Sequence, residues 1–434
     1  MWAEYDKIQT KISFHGKTSR ANTTMKKHKE ASFTKKMKKT HTIFLPQMLM
    51  YHSDLLKAAF EGSGYHLEIM SQSQGLKEEA LRYISNDSCY PTVLIIGQVL
   101  RTLKSGLYPA DRIAFMEPQA GGACRAGNIY QTIRRVLAKC GQEQIPVLSL
   151  NFMGQERQPG FRITPRLLSG AIAAVCCGDL CMSLYHQVSP YECQEGAARE
   201  VLRQLYAGLA ERIRNHKGLW GENRRQLWRD IIRAFEEIPV KSGSRKMVGV
   251  AGEIYIKFSP LGNHGLERFL AGRNCRCRMG GFVNYAIYVM DSARTEYRMN
   301  HRFPVLTPVF DKILFFMKRL QRELYEEITR SGRFVAESLF DDMKKKAAEL
   351  IGESCVTGDG WLVAAEAADA IEQGCKHILI VHPFGCLVSH ICERGIVGNL
   401  RRRYPGVSIQ SVEYDYDSSD TLRESRILLA LGGK

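Results

Sequence analysis

Uninterrupted apolar runs are short, the longest broken within about ten residues, so no membrane span is expected. Its opening, "MWAEYDKIQTK", lacks the apolar stretch of a signal peptide, so a cytoplasmic location is expected and no membrane partner. No zinc-finger spacing and no interleaved aromatic pattern of an RNA- or DNA-binding motif occurs. No phosphate-binding glycine loop, actin-like ATPase signature or short-period repeat is present either. The cysteines number thirteen, an odd count spread along the chain without a secretion signal, which excludes reading them as a disulfide framework.

What is present is a chain of 434 residues, 44% hydrophobic and 24% charged, with material for two or three domains and a large core. The net charge of +16 is unevenly placed: residues 1–40 hold eleven Lys/Arg against three Asp/Glu, half of the total. This stretch has few large apolar side chains and is expected to be a basic tail or linker. From "THTIFLPQM" onward, strand patterns alternate with helical ones to about residue 160. Residues 161–240 carry helical periodicity with little strand signal. Strand and helix patterns resume at "KMVGVAGEIYIKF" and recur in "HILIVHPFG" and "VSIQSVEYD". The expected fold is α/β: a first parallel-sheet lobe over 41–160, a helical connector over 161–240 and a second lobe over 241–434.

Three cysteines share one kind of setting. Cys89 lies between the turn residues Asn86, Asp87 and Ser88 and a helix opened by Pro91. Cys124, in "GGACRAGN", and Cys386, in "HPFGCLVSH", each lie between a strand and a helix. Strand-to-helix loops gather at the carboxyl edge of a parallel sheet, where ligands bind, and helix amino ends there favour an anionic centre. Gly121, Gly122 and Gly385 allow close backbone approach beside two of the thiols. None of the three has a CxxC partner, which argues against structural zinc. Three thiolates on an iron–sulfur cluster would leave one iron open to a non-protein ligand. Half-buried free thiols remain the simpler alternative.

Several stretches together resemble the 2-hydroxyacyl-CoA dehydratase superfamily: "KTHTIFLPQM" (39–48), "NDSCYP" (86–91), "GGACRAGN" (121–128), "VGVAGEIYIKFSPLGN" (248–263), "PFGCL" (383–387) and "VEYDYD" (412–417). The nearer likeness is to its branch of acyl-CoA dehydratase activase-related proteins, the carboxyl-terminal region of the long CoA-substrate-specific enzyme activases. The resemblance runs from about residue 35 to the end. It implies that Cys89, Cys124 and Cys386 hold a [4Fe–4S] cluster between the two lobes. It also implies an ATP-dependent activase component as partner and an acyl-CoA thioester as substrate. In the parent family the reaction is a lyase reaction, loss of water from a 2-hydroxyacyl-CoA, in which one low-potential electron forms a ketyl radical and so makes the adjacent hydrogen removable. The sequence departs from the pattern at Val388, where proline is usual, and at Ala123 and Gly127. Long members of the branch carry an ATP-binding portion ahead of this region, so the chain is expected to match the carboxyl-terminal piece of a longer protein or a split gene product.

Other residues have weaker claims. His382 and His390 flank Cys386 and are candidates for hydrogen bonds to cluster sulfur or for moving a proton, against ordinary structural roles. Arg125 could offset cluster charge or hold a CoA phosphate, and Glu253 could face the cleft. Asp415 and Asp417 are expected to end the last strand, with no catalytic role. Cys176, Cys177 and Cys181 lie on an apolar helix and suit packing. Cys275 and Cys277, amid arginines, are a remote second metal pair; Cys140, Cys193, Cys355, Cys375 and Cys392 show no partner spacing. Two rival readings are an electron-transfer or scaffold module of an activase without its own substrate site, and a basic nucleic-acid-binding α/β protein, which no recognised motif supports.

Overall fold

Segments such as "HILIVHP" bury nearly every residue, which requires cover on both faces of the strand and hence helices on both sides of a parallel sheet. The computed structural model describes residues 31–118, 124–150, 158–299, 307–417 and 419–432. It contains two four-stranded sheets, all parallel. The first has β1 (Thr42–Leu45), β2 (His66–Ile69), β3 (Ile113–Pro118) and β4 (Val147–Leu150) in the order β2-β1-β3-β4. The second has β5 (Lys246–Gly252), β6 (Cys275–Met279), β7 (His377–Pro383) and β8 (Ser408–Tyr414) in the order β6-β5-β7-β8. In each sheet the second strand lies on one side of the first and the third strand on the other. The winding reverses between β1 and β3 and between β5 and β7, which opens a crevice at their carboxyl ends.

Between the sheets run Pro165–Val188, Ala197–Arg214 and Gly221–Glu236, the helices expected from the periodicity of 161–240. Thr164 starts the first of them: its hydroxyl accepts the Leu167 N–H at 3.1 Å, and Pro165 takes the first turn. This helix is long and apolar enough to cross a membrane by length and composition, unlike the shorter runs read from the sequence, but 72% of its most apolar window is buried inside the fold. It packs in one core with Trp228, Tyr288 and Trp361. Packing begins earlier in the chain than the expected end of the basic segment. Phe33 is fully buried and its carbonyl accepts the Gly160 N–H at 2.6 Å, so residues 33–40 belong to the folded body; residues 1–30 lie outside the described residues.

The "CRCR" of "NCRCR" opens β6, a strand that its alternating arginines obscure. Cys275 and Cys277 point from one face of it into the apolar core. Cys176, Cys177 and Cys181 are likewise buried in the core.

Two polar ties cross the molecule. Asp179, on Pro165–Val188, meets His52 Nε2 at 2.8 Å and accepts the Phe282 and Val283 N–H groups at 2.8 and 2.7 Å. It thereby satisfies the exposed amino end of helix Phe282–Met299 and joins the first lobe, the connector and the second lobe. Glu267 accepts the Tyr51 hydroxyl at 2.7 Å and meets His186 Nε2 at 2.9 Å.

Asp179→Ala should strip three buried partners at once and cost about 2–4 kcal/mol in urea unfolding, with Asp179→Asn recovering part of it. Glu337 provides a pH test. It accepts the Gly281 N–H at 3.0 Å and the Asn284 side-chain amide at 2.6 Å, while burial pushes its carboxyl up to about 8. Below pH 4.5 folded and unfolded chains both hold this proton. As pH rises toward 8 the unfolded chain ionises first, so stability falls across that window. Glu337→Gln should remove that part of the slope, on the order of 3–4 kcal/mol between pH 5 and 8, read from urea midpoints.

Candidate functional site

The carboxyl edges of the two sheets supply the loops that matter. β3 is followed by Cys124, beyond residues 119–123, which lie outside the described residues together with Gly121, Gly122 and Ala123. Cys124 caps the short 3-10 turn Arg125–Asn128 that leads into helix Ile129–Lys139. β7 is followed by Phe384, Gly385 and Cys386, and the Cys386 sulfur accepts the Ser389 N–H at 3.4 Å at the start of the next helical turn. Cys89 caps helix Tyr90–Lys104 with Pro91 in its first turn, as the turn residues and proline imply. Each of the three thiols therefore stands at the amino end of a helical segment.

The loops meet. The Tyr90 N–H donates to the Phe384 carbonyl at 3.1 Å, so the start of the Cys89 helix is hydrogen-bonded to the loop that carries Cys386. Gly385 adopts φ +72°, and a Cβ there would stand 3.2 Å from Cys89 Cα. Arg125 donates to the Asp87 carbonyl at 2.5 Å, bracing the Cys124 loop against the turn before Cys89. Asn86 is bound by the Tyr416 hydroxyl, and Lys77 pairs with Asp417, so the segment after β8 closes over the same turn.

Glu253 lies between the ends of β5 and β7. Gly252, at φ +147°, presses so closely on β7 that a Cβ would stand 2.0 Å from the Val381 carbonyl oxygen. The chain then turns directly into helix Ile254–Phe258. The Glu253 N–H donates to Val381, and its carboxylate caps the helix by accepting the Ile256 N–H at 2.9 Å. The same carboxyl is near enough to Cys89, Cys124 and Cys386 to disfavour ionisation of all three thiols. Burial is the larger cause in each case, and it carries Cys124 up to about 12. These are neutral thiols, not activated nucleophiles.

Behind Glu253 lies a set of buried acids. Lys257 and Glu366 form an ion pair at 2.6 Å with both side chains 2% exposed. Asp359, at the start of helix Gly360–Glu372, accepts the Ile254 N–H, and Glu393 accepts the Ser389 hydroxyl at 2.8 Å. Burial raises Glu253, Asp359, Glu366 and Glu393 alike; Lys257 opposes it at the first three, and Ser389 alone does so at Glu393. Burial thus disfavours the charged form across the set, and it brings Glu253 up to about 7.

The remaining residues fall as follows. His382 is buried on β7 and its Nε2 is bound to Ser411 Oγ at 2.8 Å, directed to β8. His390 stands 5.6 Å from it, ring to ring. Val388 is buried against Gly358. Asp415 and Asp417 follow the end of β8, as expected. All thirteen cysteines are free thiols, and Cys355 and Cys392, which sequence spacing left unpaired, approach to 3.0 Å between sulfurs. Sequence reading also missed Asp359, Glu393 and Glu413. The first two owe their place to tertiary packing, but Glu413 is the register partner of His382 in the sheet, and strand alternation puts it on the face of Ser411.

The spread of the thiols bears on what they could hold. Among the described residues, the group of three Cys, His, Asp or Glu donor atoms lying mutually within 4.8 Å is His382, His390 and Glu413. At least one pair of the three sulfurs is therefore more than 4.8 Å apart, wider than one tetrahedral zinc needs, which is under about 4 Å for bonds of about 2.3 Å.

Gly385→Ala should cost about 1–2 kcal/mol from its left-handed backbone and also push the loop off Cys89, read as faster alkylation of Cys89 in peptide mapping. Gly406→Ala has the same kind of backbone, φ +86°, with open space around it, and should lower stability without changing Cys89 labelling. No protein-family model and no curated protein matches this chain.

Proposed function

We propose that the chain is the [4Fe–4S]-binding component of a 2-hydroxyacyl-CoA dehydratase-like system, reduced by an ATP-driven activase partner, with Cys89, Cys124 and Cys386 as the protein ligands. The observation that carries this is the meeting of three loop cysteines at the carboxyl edges of two parallel sheets, spread too widely for a single ion. The six stretches that resemble that superfamily support it. A cluster held by three cysteines brings a low-potential electron and an iron without a protein ligand.

The chain's own residues have definable tasks in this reading. The three helical amino ends favour the negative charge of the ligated thiolates, which must lose their protons on loading. Arg125 and the Tyr90–Phe384 hydrogen bond fix the loops relative to one another. Glu253 keeps one carboxylate oxygen on the Ile256 N–H and can hold a proton on the other, beside the thiols, at neutral pH. An acyl-CoA thioester is the proposed substrate and a cytoplasmic, reducing setting the proposed location, in keeping with thirteen free thiols.

Anaerobic purification tests the reading. The protein should be brown and carry about four irons and four sulfides per chain. Cys89→Ala, Cys124→Ala and Cys386→Ala should each lose most of the iron, whereas Cys193→Ala, at an exposed thiol, should keep it. A colourless protein after reconstitution with iron and sulfide, or equal iron in all four variants, overturns it. A loaded protein whose spectrum no acyl-CoA shifts would instead be an electron-transfer module.

A further inference from the structure

One pair of residues is left unused by that reading. His382 and His390 do not bond to the cysteine sulfurs; they face β8. His382 is 1% exposed, and its Nδ1 is buried with no well-formed hydrogen bond among the described residues, the Pro383 backbone being a further polar neighbour of the ring. A buried ring nitrogen without a partner is costly and calls for an explanation. Its Nε2 is held by Ser411 Oγ, which leaves Nδ1 as the lone-pair nitrogen when Nε2 carries the proton. This is the arrangement of a metal-binding histidine, whose second ring nitrogen is fixed by an oxygen. Glu413, the register partner of His382 on β8, places a carboxylate oxygen 3.9 Å from that Nδ1. His390 brings a third donor from the π-helical turn Ser389–Glu393, an irregularity that often marks functional sites. The three donor atoms lie within 4.8 Å of one another.

We propose that His382, His390 and Glu413 form a binding site for a zinc-class divalent cation, separate from the cysteine site and with its fourth position open to water. Two imidazoles and a carboxylate with an open position make a known donor set for such ions. Donor atoms around tetrahedral zinc stand about 3.4 Å apart, so the partly exposed His390 and Glu413 need close only slightly on the fixed His382. The opposing feature is Arg394, whose guanidinium lies 3.4 Å from His390 Nδ1 and 3.7 Å from Glu413 Oε2. Its side chain is 52% exposed and can swing into solvent, so it competes with a cation for the site without blocking it.

Cobalt(II) is the probe, added after chelator treatment to the full chain carrying Cys89→Ser, Cys124→Ser and Cys386→Ser, so that failure of the cluster reading leaves this result untouched. One equivalent should bind with a visible ligand-field band, with no thiolate charge-transfer band, and with two paramagnetically shifted imidazole N–H signals, one exchanging slowly because Ser411 holds it. His390→Ala and Glu413→Gln, both at partly exposed positions, should weaken binding by at least about tenfold. Arg394→Gln should tighten it about threefold or more, by removing a competing charge. Cobalt affinity unchanged in both ligand variants, or a signal composed of thiolate charge transfer, overturns the site.

Discussion

The candidate site depends on one close approach, that of the Gly385 backbone to Cys89. Two lobes of an α/β protein meet along helices in many arrangements, and most of them leave the carboxyl edges of the sheets far apart. Here the Tyr90 N–H bonds directly to the loop that follows β7, and a glycine is needed because the left-handed turn and the neighbouring Cα leave little room for a side chain. Once that contact is made, the first sheet's switch point, with Cys124, and the second sheet's, with Glu253 and Cys386, have to open toward one another. Arg125 and Tyr416, both bonded to the turn before Cys89, hold the third side of the same corner. Long-range ties elsewhere, through Asp179 and Glu267, set the lobes at the angle that makes the approach possible.

Burial is the second constraint, and it acts on thiols and carboxyls in the same direction. Removing water penalises the charged form of both, so at three cysteines and the nearby acids Glu253, Asp359, Glu366 and Glu393 burial works against negative charge. That condition is unsuited to a cysteine nucleophile, which needs its thiolate ready-made. It is well suited to a ligand set, because the metal supplies the charge that stabilises the thiolates, and to a proton store, because protonated carboxyls beside a site can give up protons when its charge changes.

Much of the architecture was legible from pattern alone. Short apolar runs alternating with amphipathic helices specified two parallel sheets, and helix Ile129–Lys139 buries Ile129, Ile133, Val136 and Leu137 at the helical spacing such patterns show. The three cysteines were found because their local settings match: cap residue, helix start, glycine neighbours. What could not be read depended on partners far away in sequence. β6 was hidden because arginines take alternate positions on an edge strand, and Cys355 with Cys392 because a thiol pair carries no spacing rule across separate elements. Asp359 and Glu393 looked like ordinary helix acids, and only the packing of one helix start against another buries them.

The two proposed sites also divide by chemistry in a way that the strand pattern explains. β7 ends in the loop of Cys386, whose sulfur faces the meeting of the lobes, while His382, on the strand itself, faces Ser411 and Glu413 on β8. Thiolates select iron–sulfur clusters and soft ions, and imidazoles with a carboxylate select borderline divalent ions, so the two donor sets do not compete for one metal. They do share a support. Cys386 opens the helical turn on which His390 sits, and the His390 N–H donates to the Cys386 carbonyl at 3.2 Å. If both proposals hold, a ligand drawn tight at either end of that turn would restrict the other end, so the two sites would be coupled through a single stretch of backbone.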